Sequence, residues 1–425
     1  MPSVKFETGR DFAQAMTAAD PLAPFRDRFH VPKTPDGSDC VYLCGHSLGL
    51  QPKSARAYIE QELQDWQRLG VEGHFHAQNP WMPYHEILAA PTARLVGALP
   101  SEVVVMNSLT ANLHLMMVSF YRPTATRHQI AIESSAFPSD QYAVQSQIAF
   151  HGYDPAQSLL EMAPRPGETT VRTEDIEKWL AEKGEQIALV LLGGVNYYSG
   201  QAFDCARIAQ AAHAQGCVVG FDMAHAAGNL PLHLHDWNAD FAVWCSYKYL
   251  NGGPGCIAGC FVHERHARTR QLPRFAGWWG HDKSSRFQMP SQFQPIPGAE
   301  GWQLSNPSIL SMAALRASME IFDQATIARL RGKSVTLTAY LEFLLAQQAN
   351  ETFSILTPRD PAQRGAQLSL QIRNGGRALC DRLGRQGILC DWREPDILRV
   401  APVPLYNSFV DVHRFADKFL SEVKT

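Results

Sequence analysis

Cys217-Val-Val-Gly-Phe-Asp222 and Phe241-Ala-Val-Trp-Cys-Ser-Tyr-Lys248-Tyr-Leu-Asn-Gly-Gly-Pro-Gly255 are the two stretches from which the architecture is read. Each begins as a short run rich in Val and Phe, then stops at a charged residue or a glycine-rich turn. Runs of this kind suit strands buried on both faces of a parallel sheet. Working outward, residues 55–265 repeat the theme, with strands predicted over Glu102–Met106, Gln129–Glu133, Ile187–Leu192, Cys217–Asp222 and Phe241–Cys245. Helical patterns intervene. Asp204 to Gln215 reads as a helix, with Asp204 placed to cap its start and Gly216 just past its end. The alternation predicts an α/β fold with a mostly parallel central sheet and crossover helices.

The pattern changes after about Ser305. Helices are predicted over Leu310–Phe322 and Ile327–Gln348, followed by strands at Phe353–Leu356 and Gln367–Ile372. A helix at Arg377–Leu383, a strand at Ile397–Val400 and a closing helix from Ser408 complete the chain. Phe409, Val412, Ala416, Phe419 and Val423 recur at helical spacing in that last helix and form an apolar stripe for packing on its own domain. The expected organisation is a large domain, residues 51–305, and a smaller α+β domain from residues 1–50 and 306–425.

In open α/β sheets ligands bind at the carboxyl ends of the strands. Asp222 closes one strand there, and Lys248 follows the next. A lone strand-end Asp is usually a helix cap and a lone Lys is usually solvated, but consecutive strands here deliver a carboxylate and an amine to one edge. Pyridoxal phosphate needs that pair. Its aldehyde forms a Schiff base with a lysine, and a carboxylate against the ring nitrogen keeps the ring cationic and able to accept electrons. An opposite charge at contact typically raises a cation's pKa by ~1–3 units, about 1.4 kcal/mol each. The cofactor's phosphate needs a cradle as well. The strand at Glu102–Met106 runs into Asn107-Ser-Leu-Thr110 and an apolar helix through Phe120, so Thr110 is expected to cap a helix whose free amides attract phosphate.

Composition excludes several classes. The chain has 425 residues, 45% of them hydrophobic, and a formal net charge of −3. No basic footprint for nucleic acid or an anionic membrane follows from that balance. Lys5, Glu7, Arg10 and Asp11 interrupt the stretch Met1 to Ala15, which therefore lacks the apolar core of a secretory signal. No apolar run approaches the ~18 residues of a spanning helix. Cys40, Cys44, Cys205, Cys217, Cys245, Cys256, Cys260, Cys380 and Cys390 are an odd set, several in apolar contexts, as expected of reduced thiols in a cytoplasmic protein. Cys256 and Cys260 lack a second pair at zinc-like spacing, and His233-Leu-His235 lacks an adjacent Glu-x-x-His helix. No metal is expected.

Together the segments resemble the kynureninases, pyridoxal-phosphate hydrolases of fold type I in the class-V aminotransferase-like superfamily. The resemblance runs from Val41-Tyr-Leu-Cys-Gly-His-Ser-Leu-Gly49 to Arg399-Val-Ala-Pro-Val-Pro-Leu-Tyr406. Its specific parts are Ala136-Phe-Pro-Ser-Asp140, Phe221-Asp-Met-Ala-His-Ala226, the segment from Cys245 to Gly255, Gly277-Trp-Trp-Gly-His281 and Leu304-Ser-Asn-Pro307. It implies that Lys248 carries the cofactor and that Asp222 faces the pyridine nitrogen. It further implies that Phe137 stacks on the ring, with Pro138, Ser139 and Asp140 lining the same pocket and His225 beside the ring oxygen. Leu109, Thr110 and Tyr247 would hold the phosphate, while Trp278 and Asn306 would come from the neighbouring subunit of a homodimer with shared active sites. Arg399 would clamp the substrate carboxylate, which its planar fork suits better than a lysine does.

The implied reaction is hydrolysis of the Cβ–Cγ bond of a kynurenine to L-alanine and an anthranilate, with Lys248 moving the α-proton. Tyr247 is either a further acid/base or a phosphate ligand only. His74 with Ser305 and Asn306 resembles the form of the family that acts on 3-hydroxykynurenine, because a buried His and Asn can bond a ring hydroxyl and would go unpaired without it. The place implied is the kynurenine pathway of tryptophan catabolism, whether for breakdown or for NAD biosynthesis. Two positions depart from the family: His46 stands where Asn is usual, and Gly193 where a hydroxyl residue is common. The nearest rival activity is that of another class-V enzyme, a cysteine desulfurase or an aminotransferase. A desulfurase would need a reactive cysteine on a mobile loop. The rival of another kind is a non-catalytic protein that keeps the fold.

Overall fold

The computed structural model describes residues 5–267, 272–346, 352–373 and 376–423. Its centre is a sheet of β1 (Val103–Val105), β2 (Gln129–Glu133), β3 (Leu159–Met162), β4 (Ile187–Gly193), β5 (Val218–Asp222), β6 (Phe241–Trp244) and β7 (Gly259–Val262), in the order β1-β7-β6-β5-β4-β2-β3. From β3 to β6 the neighbours are parallel. β7 is antiparallel to both β6 and β1. Burial on both faces explains the near-continuous apolar runs: Ile187 to Leu192 are all buried in β4, as is every residue of β6.

All five predicted strands are present, but β3 and β7 were not anticipated. β3 is an edge strand whose residues Leu159-Leu-Glu-Met162 are only partly covered, so its pattern is weak. In β7 a Cβ at Gly259 would lie 2.1 Å from the Trp244 ring, so only glycine lets this strand approach β6. That glycine disguises a strand as the tail of the preceding turn.

Between β1 and β2 runs α1 (Leu109–Phe120), and α2 (Pro138–Phe150) follows β2. α3 (Cys205–Ala214) begins as predicted, with the Asp204 side chain accepting from the Arg207 amide at 3.2 Å. Gly216 beyond it has a φ of +72°. α1 differs from expectation. Its cap is Ser108, with an extended backbone, and Thr110 lies inside the first turn. The Thr110 hydroxyl is thereby released from capping.

α4 (Ile309–Ala325) packs on the helix Ala55–Leu69 and adds Met312, Leu315 and Phe322 to the apolar layer on one face of the large sheet. α5 (Ile327–Ala346) follows; Gln347 and Gln348 of the predicted helix lie outside the described residues. A second, antiparallel sheet joins β8 (Phe353–Ile355), β9 (Leu368–Ile372), β10 (Asp391–Arg393) and β11 (Ile397–Val400) in the order β8-β9-β11-β10. α6 (Gly376–Arg385) and α7 (Phe409–Glu422) cover it. α7 opens with a reciprocal cap: Ser408 Oγ accepts from the Asp411 amide, and Asp411 accepts from the Ser408 amide. Its stripe Phe409, Val412, Ala416 and Phe419 is buried in a core shared with Val41, Leu43 and Leu341. The short strand Ile388–Leu389 pairs in parallel with Val41–Tyr42, tying the N-terminal segment to this sheet. Among the described residues no helix is long and apolar enough to cross a membrane.

Candidate active site

The carboxyl ends of β2, β4 and β5 and the loop after β6 meet at one cavity of about 150 Å³. Leu109, Thr110, Phe137, Ser139, Asp140, Asp222, His225, Tyr247 and Lys248 all line it, together with Glu133, Gly193, Val195, Tyr197 and Ala224. A larger cleft of about 870 Å³, bordered by Arg172, Asp204 and Arg331, holds none of the anticipated residues.

The lysine loop is fixed from behind. Gly49 donates its amide to the Tyr247 carbonyl at 2.8 Å. A Cβ on Gly49 would lie 2.3 Å from the Lys248 carbonyl, so the Gly45–Gly49 segment docks here only as glycine. Asn251, in the left-handed region at φ +53°, closes the loop by donating its side-chain amide to the Tyr249 carbonyl. Lys248 Nζ stands 5.8 Å from the centre of the Phe137 ring and 6.0 Å from that of Tyr247. Tyr197 packs edge-on against Phe137 at 5.1 Å and so sets its orientation.

Asp222 is buried at the end of β5, where its Oδ1 accepts the Ala224 amide at 2.7 Å. Burial raises its carboxyl pKa, and the Lys248 charge pulls it back down. Burial and the facing Asp222 charge drive Asp140 up much further. Of the two facing buried carboxyls, Asp140 is thus the one favoured to hold a proton and Asp222 the one favoured to stay charged. His225 is held neutral, chiefly by burial and then by the charges of Lys248 and Arg399. Burial also pushes the Tyr247 phenol up, and the Cys245 thiol beside it adds to the shift. Thr110 Oγ1 and Ser139 Oγ are 2.9 Å apart at the first turns of α1 and α2.

This set fits pyridoxal phosphate. One end offers two hydroxyls and helix N-termini for an anion, the other a buried carboxylate for a cation, with an amine and an aromatic face between. Asp140 Oδ1 and His225 Nδ1 have no hydrogen-bond partner among the described residues, although both are buried.

Arg399 is 1% exposed on β11. Its Nη2 donates to Asp391 Oδ2 at 2.5 Å and its Nη1 to the carbonyl of Tyr197, a residue that lines the cavity, at 2.9 Å, while Arg399 itself is not among the lining residues. His46 Nε2 lies 3.6 Å from the same Asp391 oxygen, and its ring is 6.4 Å from His225. Burial brings His46 down to about 4, and it is neutral.

The remaining anticipated residues do not reach the cavity within one chain. Pro138 opens α2 and faces an adjacent groove. His74 is partly exposed, with Nδ1 2.9 Å from the Val71 carbonyl and its ring edge-on to Trp81. Trp278 is 43% exposed, and Ser305 and Asn306 are exposed. The latter three share one surface, because the Trp279 amide donates to the Leu304 carbonyl at 3.1 Å. The burial expected of His74 and Asn306 is thus absent in the single chain.

Sequence reasoning missed Glu133. It ends β2 inside the cavity, and burial pushes its carboxyl up to about 7. The signal that found Asp222, a carboxylate at a strand's carboxyl end, was equally present at Glu133. Asp391 was missed because the strand that pairs it directly with Arg399, eight residues on, was not predicted. His235, from the His-x-His pair, instead bonds the fully buried Glu102 at 2.9 Å beside His263, away from the cavity.

Residues 330–419 match the family described as the kynureninase C-terminal domain. The curated kynureninase of Koribacter versatilis is 67% identical, covering 100% of both chains. That of Myxococcus xanthus is 62% identical over 96% of each. Among solved structures, a C-DES mutant with glycine covalently linked to its PLP cofactor superposes with a TM-score of 0.76 at 17% identity, covering 93% of this chain and 98% of that one. That likeness shows the fold, which is fold type I of the pyridoxal-phosphate enzymes. Identity of this order along the whole length shows the rest: the chain belongs to the kynureninase family.

Proposed function

We propose that this chain hydrolyses the Cβ–Cγ bond of a kynurenine to L-alanine and an anthranilate, with 3-hydroxykynurenine preferred, as a cytoplasmic homodimer with shared active sites. As a kynureninase it is a pyridoxal-phosphate-dependent carbon–carbon hydrolase. The observation that carries the reading is the convergence of Lys248, Asp222, Asp140 and Phe137 on one cavity, with the buried Arg399 bonded to the carbonyl of Tyr197 in its wall.

Pyridoxal phosphate, when bound, would supply an amine-reactive aldehyde and a cationic ring that withdraws electrons. The remaining work falls to the chain. Asp222 holds a negative charge against the ring nitrogen, and the proton on Asp140 steadies that carboxylate without neutralising it. Phe137 would cover one face of the ring, and Pro138 sets the start of α2 next to it. Leu109, Thr110, Ser139 and Tyr247 hold the phosphate, aided by the free amides of the first turn of α1. Neutral His225 can donate to the ring oxygen without adding charge. Lys248 Nζ, facing the cavity, would move the α-proton. Tyr247, kept protonated by burial, is placed to act as acid at the side-chain ketone. Arg399 clamps the α-carboxylate with a guanidinium oriented by Asp391.

Trp278 and Asn306 lie exposed on one surface, as residues that complete a partner's site would. His74 and Ser305 are assigned with Asn306 to the ring hydroxyl. The division into residues 51–305 and residues 1–50 with 306–425 is proposed alongside. No cysteine lines the cavity among the described residues, which weighs against a desulfurase. The test is chromatographic: alanine and anthranilate should appear in equal amounts from kynurenine, and kcat/KM should be higher for 3-hydroxykynurenine. Equal or reversed values would remove the preference, and absence of both products would remove the reaction.

A further inference from the structure

Nine free cysteines are distributed over the chain, and two of them touch. Cys380 on α6 and Cys390, between Ile388–Leu389 and β10, have their Sγ atoms 3.7 Å apart. Both are only partly buried. They line a cavity of about 460 Å³ with Cys44, Arg377, Asp391 and Arg393, separate from the one that holds Lys248. A disulfide needs about 2.05 Å, so closing it requires a displacement of less than the length of two bonds. Cys390 immediately precedes Asp391, the carboxylate that orients Arg399.

We propose that Cys380 and Cys390 form a reversible disulfide when a peroxide or a small-molecule disulfide is present, and that this bond displaces Asp391 and weakens the grip of Arg399 on substrate. The second half rests on the reading of Arg399 as the carboxylate clamp. With a peroxide, the Cys380 thiolate attacks one oxygen, the O–O bond breaks, and the departing hydroxide takes up the thiol's proton as water. Cys390 then attacks the sulfenic sulfur, forming the S–S bond and releasing a second water. Two electrons pass from the thiols to the peroxide. The hydrogen bond from the Cys390 thiol lowers Cys380 and raises Cys390, which sets Cys380 as the attacking sulfur. Burial pushes Cys44 up to about 12, so the third thiol in the cavity stays inert.

The test treats the cofactor-loaded wild-type enzyme and Cys380→Ser with graded hydrogen peroxide, then maps unreduced peptides and measures kcat and KM. A Cys380–Cys390 linked peptide in the wild type alone, removed by dithiothreitol, with KM raised on the order of ten-fold and kcat changed less, supports the proposal. No linked peptide, or a link through Cys44, overturns the site. A linked peptide with unchanged KM overturns the coupling. Arg399→Lys, assayed without oxidant, separates the premises: unchanged KM there removes the clamp and leaves the disulfide standing on the peptide map.

Discussion

Glu133 and Gly193 occupy each other's space: the Gly193 amide lies 3.3 Å from both carboxylate oxygens, and a Cβ at 193 would come within 3.0 Å of Oε1. The departure at 193 therefore leaves no gap. A buried carboxylate from β2 stands where a side-chain hydroxyl would otherwise reach, and the glycine amide is its hydrogen-bond partner.

That carboxyl, raised by burial from 4.5 to about 7, binds a proton in the folded state that the unfolded chain has released. Stability should fall as pH rises from 4.5 through 7. The gap is worth about 3 kcal/mol at ~1.4 kcal/mol per unit. Urea unfolding of the cofactor-free protein at pH 5 and pH 8 should show this loss, and Glu133→Gln should flatten it.

His46 works in the opposite sense. Its folded value of about 4 lies below the ordinary 6.5, so the unfolded chain binds the extra proton and stability is lost as pH falls from 6.5 toward 4. His46→Asn, restoring the family's usual residue, should retain stability across that window. A wild-type acid limb shared unchanged by the variant would assign it to another group.

Arg399 should tolerate no replacement. In Arg399→Lys one of the two donations, to Asp391 or to the Tyr197 carbonyl, is lost. At ~1.5–3 kcal/mol for a charge-assisted hydrogen bond, kcat/KM should drop roughly ten- to a hundredfold, most of it in KM. Steady-state kinetics with kynurenine checks this.

How much of this was legible in the sequence depends on range. Asp222 and Lys248 were readable because adjacent parallel strands must end at the same edge, and a carboxylate and an amine stood there. Asp204 and Ser408 announced their helices through local capping chemistry. β7 was hidden because its antiparallel course between β1 and β6 is a long-range pairing, made possible by Gly259 beneath Trp244. The bond from Asp391 to Arg399 joins directly paired residues of β10 and β11, and it was missed because no strand was predicted over Asp391–Arg393. His74, Trp278, Ser305 and Asn306 were named by resemblance, and within one chain they lie exposed or partly exposed, away from the cavity.

The proposed sharing of sites between two subunits has a direct consequence. Trp278→Ala and Lys248→Ala should each be nearly inactive, but mixing them through a dissociation step should restore part of the activity, because one mixed site carries neither change. Absence of recovery would confine Trp278 to its own chain.

The most direct measurement is on the amine itself. The cofactor-loaded enzyme should absorb in the visible, lose that band on borohydride treatment, and yield one peptide carrying the reduced cofactor on Lys248. A label on any other residue, or none, would contradict the account of the site from Asp222 to Arg399.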